Sequence, residues 1–330
     1  IGGGYHLLNL SGATTAATEG SNHPEVGTGG TPIKLPGNYI PVSQGFFVLG
    51  DEDGGTINFN NGQRIFHKES SGNSTFVEMN DEFSDSEITP NANNQANNVT
   101  TSEDTRLKMR IGFNSINTIR RQLLVTEDSN ASTGIDWGYD GMMQETQLDD
   151  MFWLINDQRF AIQGTDLIDN QTILPIGVYT DSDGLNSFVL DALTNAPEET
   201  SVYLHDKILN IYHNLSEQNY DIFLPAGEYL ERFEITFSNQ NTLNITNKVL
   251  TDNVDVYYSN NIKSIVIVNP LYKDINALQV MNLLGQSIQN IKIVSDQNYQ
   301  EIRLNELSSG AYIIKLNTSS GIASKKIIVK

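Results

Sequence analysis

The stretch Ala311-Tyr312-Ile313-Ile314-Lys315-Leu316, followed after a short polar break by Ile322 to Val329, decides the fold class of this 330-residue chain. Both runs are rich in β-branched and aromatic residues and have the length of strands. Five similar runs precede them: Val254 to Tyr258, Ser264 to Val268, Ala277 to Met281, Ile288 to Ile293 and Gln300 to Leu304. Seven strands within residues 254–330 predict a small Ig-like Greek-key sandwich.

Upstream, too, short apolar runs are separated by Gly, Asn, Asp and Pro. No apolar i, i+3, i+4, i+7 pattern, which would indicate a helix, persists anywhere in the sequence. Residues 105–250 are therefore predicted to form another β-sandwich. Its expected strands are Leu107 to Ile111, Arg121 to Val125, Met151 to Ile155, Phe160 to Ile162, Val202 to Leu204 and Tyr229 to Phe237. The chain as a whole is predicted to be all-β, with tandem β-sandwich domains.

Residues 1–104 are predicted to be a β-rich N-terminal segment with Gly- and Asn-rich loops. Gln44 to Val48 and Thr56 to Phe59 are its clearest expected strands. The stretch from about Asn80 to Asp104 has too few apolar residues for a core position, so we interpret it as a polar linker or long surface loop.

Charge divides the chain at about Thr251. Residues 252–330 hold 8 Lys and Arg against 6 Asp and Glu, whereas residues 1–251 hold 12 against 34. This break predicts a domain boundary, with residues 251–330 forming the last domain. A formal net charge of −20 argues against nucleic-acid binding, which needs Lys and Arg along the phosphates.

The sequence lacks the usual catalytic devices. It has no cysteine and only scattered histidines, with no HExxH, and it contains no GxSxG elbow, P-loop or dinucleotide fingerprint. We therefore expect no enzyme activity and no resident cofactor, with Ca²⁺ held by acidic loops as the one ion the side chains would suit.

Three motifs in the last segment carry a family resemblance: Val280 to Gln286, Leu307 to Leu316, and the ending with Gly321, Lys325-Lys326 and Lys330. From Asp252 to Lys330 the chain resembles the type A sorting domain of the type IX secretion system of Bacteroidetes. The resemblance implies recognition by the type IX translocon and its outer-membrane shuttle barrel, and leaves open removal by a sortase-like protease. It implies these recognition residues: Gly285, Gly310, Tyr312, Gly321, Lys325, Lys326 and Lys330.

Each of these residues also has a purely structural interpretation. Gly285 and Gly310 fall where a positive φ or a close turn would be needed between strands. The three lysines are explained equally well by a solvated edge strand, because edge lysines block unwanted strand pairing.

The upstream region resembles a domain that often precedes this sorting signal in large, adhesin-like surface proteins of Bacteroidetes. The matching stretches are Tyr39 to Val48, Gly134 to Asp140, Tyr203 to Asp206 and Glu231 to Ile235. The two resemblances imply the C-terminal portion of an exported protein, secreted or at the cell surface. The alternative is that residues 1–250 form an adhesin or a carbohydrate-binding module.

The loop that contains Asp136, Trp137, Tyr139 and Asp140 has four interpretations. Its aspartates can hydrogen-bond backbone amides in a loop that caps the sheet, bind Ca²⁺, or act as a catalytic carboxylate pair, and Trp137 can contact a sugar. Asp51 to Gly54 and Asp181 to Gly184 have acidic spacing that is compatible with Ca²⁺ but is also ordinary turn chemistry.

Overall fold

The computed structural model describes residues 5–17, 35–37, 39–42, 44–48, 50, 54–64, 66, 104–239, 254–260, 262–269, 272–295, 297, 299–304, 307–318 and 321–329. These residues form twenty strands and one 3-10 turn, Asn61–Gln63, which confirms the predicted all-β class. In these ranges no helix has the length and apolar character needed to cross a membrane.

A short hairpin, β1 (Leu7–Leu8) and β2 (Ala13–Thr14), begins the described chain. Residues 104–239, which we call the large sandwich, follow with eleven strands. These are β3 (Lys108–Asn114), β4 (Arg120–Glu127), β5 (Gly141–Met142), β6 (Asp150–Ile155), β7 (Gln158–Thr165), β8 (Ile173–Thr180), β9 (Gly184–Thr194), β10 (Tyr203–Asp206), β11 (Ile211–Asn214), β12 (Tyr220–Leu224) and β13 (Gly227–Thr236).

All eleven strands of the large sandwich belong to one sheet, ordered β11-β10-β13-β8-β6-β7-β4-β3-β9-β12, with β5 on β7. The β4–β7 pair is parallel and the other pairs are antiparallel. The sheet folds over on itself, because Phe188 of β9 and Phe233 of β13 are far apart in strand order yet have ring centroids 5.0 Å apart. One apolar core therefore fills the space between the two halves of the sheet.

Residues 254–329, which we call the C-terminal sandwich, contain the seven predicted strands. They are β14 (Asp255–Ser259), β15 (Ser264–Val268), β16 (Ile275–Asn282), β17 (Ser287–Ser295), β18 (Tyr299–Arg303), β19 (Gly310–Thr318) and β20 (Gly321–Val329). They form a three-stranded sheet, β14-β15-β18, and a four-stranded sheet, β17-β16-β19-β20. The side chains between the two sheets, among them Ile267, Leu278 and Ile314, are buried.

The N-terminal hairpin lies on the large sandwich. Thr126 of β4 donates a buried 2.8 Å hydrogen bond to the Ser11 carbonyl, and the neighbouring Ala16 and Ala17 are buried as well. Residues 5–17 are therefore anchored to the domain that begins about ninety residues later.

The two strands expected within residues 1–104 were predicted wrongly. The structure describes Gln44–Val48 and Thr56–Phe59 without strand pairing, and leaves Phe47 and Phe59 mostly exposed. An alternating apolar pattern forms a strand only when a partner strand and a core face accept it, and local sequence does not report either.

Two expectations lie outside the described residues. The polar linker falls almost entirely within residues 67–103, and the boundary at residue 251 falls within residues 240–253. On the two sides of that boundary, the described strands belong to separate sheets. The three-domain division remains a prediction.

Candidate functional site

The predicted recognition residue Gly285 lies in the tight turn that joins β16 and β17. Its φ is +81°, and its amide donates to the Asn282 carbonyl at 3.0 Å. The Asn282 side chain also accepts from the amides of Leu284 and Gln286, each at 3.0 Å. Glycine is needed here because a side chain in this backbone conformation would be strained.

The other predicted glycines differ. Gly321, at the start of β20, has a φ of +140°. Gly310 does not have a positive φ, so of the two reasons expected for a glycine there only the close turn remains. A Cβ on Gly310 would meet only ordinary contacts, with Tyr312 and Ser308. Tyr312 donates from its hydroxyl to the Ser308 carbonyl at 2.8 Å and thereby closes the loop before β19.

Lys325 and Lys326 point to opposite faces of β20. The Nζ of Lys325 donates to Asp255 Oδ1 at 2.5 Å and lies 4.0 Å from the centre of the Tyr257 ring. Lys325 therefore ties the last strand to β14, across the two sheets. Lys326 is exposed on the outer face, and Lys330 lies outside the described residues.

The outer face of the four-stranded sheet is cationic. Lys326 pairs with Ile313, which pairs with Met281, and in the next rows of the same face lie Lys315 and Lys292. Three of the four lysines in β16, β17, β19 and β20 lie on this face, and these strands contain no Asp or Glu. The charge of this face is therefore opposite in sign to the net charge of the whole chain.

Sequence reasoning missed two groups of exposed apolar side chains around this face. Leu283 and Leu284, in the turn before Gly285, are 60% and 85% exposed. Ile322 and Ile328 of β20 are about 60% exposed and share a face with Lys326. Two features of the sequence could have indicated these exposed side chains: a pair of leucines in a turn, and apolar residues that recur every second position along β20.

The three-stranded sheet is covered on both faces. Ile265 and Ile267 of β15 pack in the core of the C-terminal sandwich, whereas Val266 and Val268 join the core of the large sandwich. Phe223 of β12 lies against Tyr299 at 5.9 Å and Tyr257 at 6.0 Å between ring centroids. We call this contact surface the junction.

A buried ion pair stands beside the junction. The Arg232 guanidinium donates to the Asp206 carboxylate at 2.8 Å, and its Nη1 lies 3.5 Å from the Tyr257 hydroxyl oxygen. Burial alone would lower the pKa of Arg232, but the Asp206 carboxylate outweighs it and holds the pKa above its ordinary value. Burial also raises the pKa of Tyr257, so the phenol stays neutral.

The loop at residues 134–140 is held by its own aspartates. Asp136 Oδ2 accepts from the amide and the hydroxyl of Ser132, at 2.5 and 2.8 Å. Asp140 accepts from the amides of Asp136 and Gly164, at 2.5 and 2.7 Å. The structure therefore places the two carboxylates in a network of backbone hydrogen bonds.

This loop also forms hydrogen bonds with the N-terminal hairpin. The Tyr139 carbonyl accepts from the Asn9 amide group at 2.8 Å and the Ser11 hydroxyl at 2.7 Å. Tyr139 is half-buried over Gly164, whereas Trp137 is 61% exposed. Of the two aromatic side chains of this loop, only Trp137 is largely exposed.

Burial raises the pKa of Asp140 to about 6, although the two amide donors act against the shift.

No group of three His, Asp or Glu side chains in the described ranges is close enough together to hold a metal ion. Of the two acidic turns, Asp51 to Asp53 lie outside these ranges. In the other, Asp183 accepts from the Ala226 amide at 2.8 Å.

Two family models match the chain. One, described as a domain of unknown function (DUF8693), matches residues 5–237, and the other, described as a secretion system C-terminal sorting domain, matches residues 232–330. The second match confirms the resemblance drawn from the motifs of the last segment. The two matches overlap at residues 232–237, and all but the last of these residues belong to β13 of the large sandwich. No curated protein and no solved structure matches the chain.

Proposed function

The chain belongs to the DUF8693 family over residues 5–237 and ends in a type IX secretion sorting domain, and we propose that the secretion machinery recognises this domain through the outer face of its four-stranded sheet. The sorting domain indicates export to the cell surface or into the medium. The proposal concerns which surface the secretion machinery contacts and what the exported domain does afterwards.

The outer face of the four-stranded sheet is favoured because the opposite side of the domain is occupied. The large sandwich packs against Val266, Val268, Tyr257 and Tyr299 on the three-stranded sheet. The lysine face carries no acidic residue in its strands, and it lies beside exposed leucines and isoleucines. This concentration of lysines in an acidic chain is the observation that carries the proposal.

The proposed partners are the type IX translocon and its outer-membrane shuttle barrel. An acidic surface on either would be attracted to Lys292, Lys315 and Lys326, and the attraction would weaken with salt. A sortase-like protease could then separate the domain within residues 240–253, between the last strand of the large sandwich and β14.

The test is export of the full chain with Lys292, Lys315 and Lys326 changed together to Gln, measured as the fraction that reaches the outside of the cell. Lys263→Gln, an exposed lysine on the turn between β14 and β15, is the matched control. The proposal expects reduced export only for the triple variant, at unchanged thermal stability. Normal export of a folded triple variant would refute recognition through this face.

A second candidate function concerns residues 1–250, which would serve as an adhesin or a carbohydrate-binding module after export. An exposed Trp137 in a loop fixed by hydrogen bonds favours it, since a rigid aromatic ring binds with little loss of conformational entropy. We propose binding, not catalysis, for this region. Ca²⁺ remains the metal ion that its carboxylates would suit.

A further inference from the structure

A groove of about 490 Å³ lies along the edge strand β11 and reaches the C-terminal sandwich. Ligand sites in proteins usually have volumes of about 300–1,000 Å³ and combine aromatic side chains with a few placed polar groups. Three tyrosines and several polar side chains line this groove, among them Tyr203, Tyr212, Tyr272, Asn214, Glu217 and Gln218.

The ring of Tyr212 is fixed before any ligand arrives. Tyr212 pairs across the strands with His205, and the two rings stack 4.0 Å apart with 6° between their planes. His205 is held in turn by Glu234, with Nδ1 2.8 Å from the carboxylate oxygen. A preorganised ring loses little freedom on binding, so more of the contact energy appears as affinity.

Tyr203 provides a second ring on the same face. It pairs with Asn214, two residues along β11 from Tyr212, so the two tyrosines are diagonal neighbours. Such neighbours are about 7–8 Å apart and within reach of one extended ligand. Period-two alternation therefore builds a two-ring surface from two consecutive antiparallel strands.

Tyr272 adds a ring from the C-terminal sandwich. Its φ is +51° and it is 53% exposed. A bulky residue in the left-handed region is uncommon, and such strain is concentrated at ligand sites. Since Tyr272 lies before β16 and the other rings belong to β10 and β11, the complete groove requires both domains.

The polar side chains that line the groove are suited to hydrogen bonds with the hydroxyl groups of a ligand. The Asn214 amide is oriented by bonds to the Glu217 carboxylate at 2.9 Å and from the Ser216 amide at 3.0 Å. Gln218, whose side-chain amide group can both donate and accept hydrogen bonds, also lines the groove. The lining contains Glu217 but no Lys or Arg, and the chain has a net charge of −20, so an anionic ligand would be repelled.

We propose that this groove binds an uncharged oligosaccharide, whose apolar C–H faces pack on Tyr203 and Tyr212 and whose hydroxyls meet Asn214, Glu217 and Gln218. The inference rests on the proposed binding role of the exported domain, and it moves the contact face from Trp137 to β10 and β11. Export of the chain through its sorting domain does not depend on ligand binding in this groove.

The test uses the full chain on a printed array of uncharged hexose and N-acetylhexosamine oligosaccharides, followed by calorimetric titration of the strongest binder. Tyr203→Ala and Tyr212→Ala should each weaken binding by about tenfold or more, equal to about 1.4 kcal/mol. Tyr212→Phe keeps the ring and should retain binding. Phe59→Ala is the matched control for an exposed aromatic ring and should bind like the unmodified chain, whereas Trp137→Ala tests the alternative contact face.

Thermal unfolding of each variant separates loss of binding from loss of fold, and Gln218→Ala tests the groove without touching a ring. No binding on the array, or binding that Trp137→Ala weakens and the tyrosine variants do not, overturns the proposal. Binding of extended peptides along β11 in place of sugars overturns it as well. Export of the same variants is scored separately, so failure of the groove is distinguishable from failure of the exported role.

Discussion

The Asp183 carboxylate accepts a 2.9 Å hydrogen bond from the hydroxyl of Ser259, which joins the turn between β8 and β9 to the end of β14. Ser259 is fully buried, and Asp183 also accepts from the Ala226 amide. An acidic turn with the spacing of a cation loop therefore serves as a contact between the exported domain and its sorting domain.

Changing Ser259 to Ala should lower the free energy of unfolding by about 0.5–1.5 kcal/mol, because the partly buried Asp183 carboxylate loses a hydrogen-bond donor. Ser324→Ala, on the exposed face of β20, should change it by no more than about 0.5 kcal/mol. Denaturant unfolding of both variants measures the difference. Equal effects would show that the junction contact contributes nothing.

Arg232→Met should destabilise the protein by about 3–5 kcal/mol, because it leaves the buried Asp206 carboxylate without a cationic partner. The comparison is Arg159→Met, which breaks an exposed ion pair with Glu228 and should cost under about 1 kcal/mol. Equilibrium unfolding at one pH and salt concentration provides both values. If the two substitutions cost the same, Arg232 is not the buried anchor that its geometry indicates.

Lys325→Gln and Lys326→Gln should have different effects although the residues are neighbours. Lys325→Gln removes the contacts with Asp255 and Tyr257, and we expect a stability loss of under about 1 kcal/mol, since its side chain is 40% exposed. Lys326→Gln should leave stability unchanged and reduce export. Unfolding and the exported fraction are measured on both. Export that depends on Lys325 alone would favour a structural role for the terminal lysines.

Asp140→Asn should alter how stability depends on pH. The folded pKa of Asp140 is raised to about 6, above the value expected for an unfolded chain. Its contribution is therefore fully present below about pH 4 and is lost as the pH rises through about 6. The stability of the unmodified chain minus that of the variant should fall between pH 4 and pH 7. A difference that is constant with pH would contradict the raised pKa.

Local pattern was enough to predict the seven strands of the C-terminal sandwich, because each is a run of strand length bounded by turn residues. It did not indicate that the apolar run Ile265 to Val268 faces two different cores, since a continuous run is compatible with either neighbour. The alternation along β20 separates Lys325 from Lys326, but the partner of Lys325 is Asp255, seventy residues away. Contacts of that kind are set by tertiary packing.

The large sandwich was harder to predict. Strands β8 and β9, which flank the acidic turn and pair with other strands, were not predicted, and only the turn between them was identified. The pattern of Ile173 to Thr180 is interrupted by Pro175 and Gly177. The parallel pairing of β4 with β7 has no local signature. In the loop, the sequence offered backbone capping as one of four interpretations for Asp136 and Asp140. The N-terminal hairpin, which hydrogen-bonds to the Tyr139 carbonyl through Asn9, lies 130 residues upstream.

The most direct test of the account is the fraction of a reporter found outside the outer membrane when residues 252–330 are fused to its C-terminus. It is measured in cells with and without a working type IX translocon. We expect export only when both the fused segment and the translocon are present, and no export when Ala323 to Lys330 are deleted, because β20 then no longer completes the lysine face. A folded fusion that stays inside cells with a working translocon would contradict the assignment of the export address to this domain.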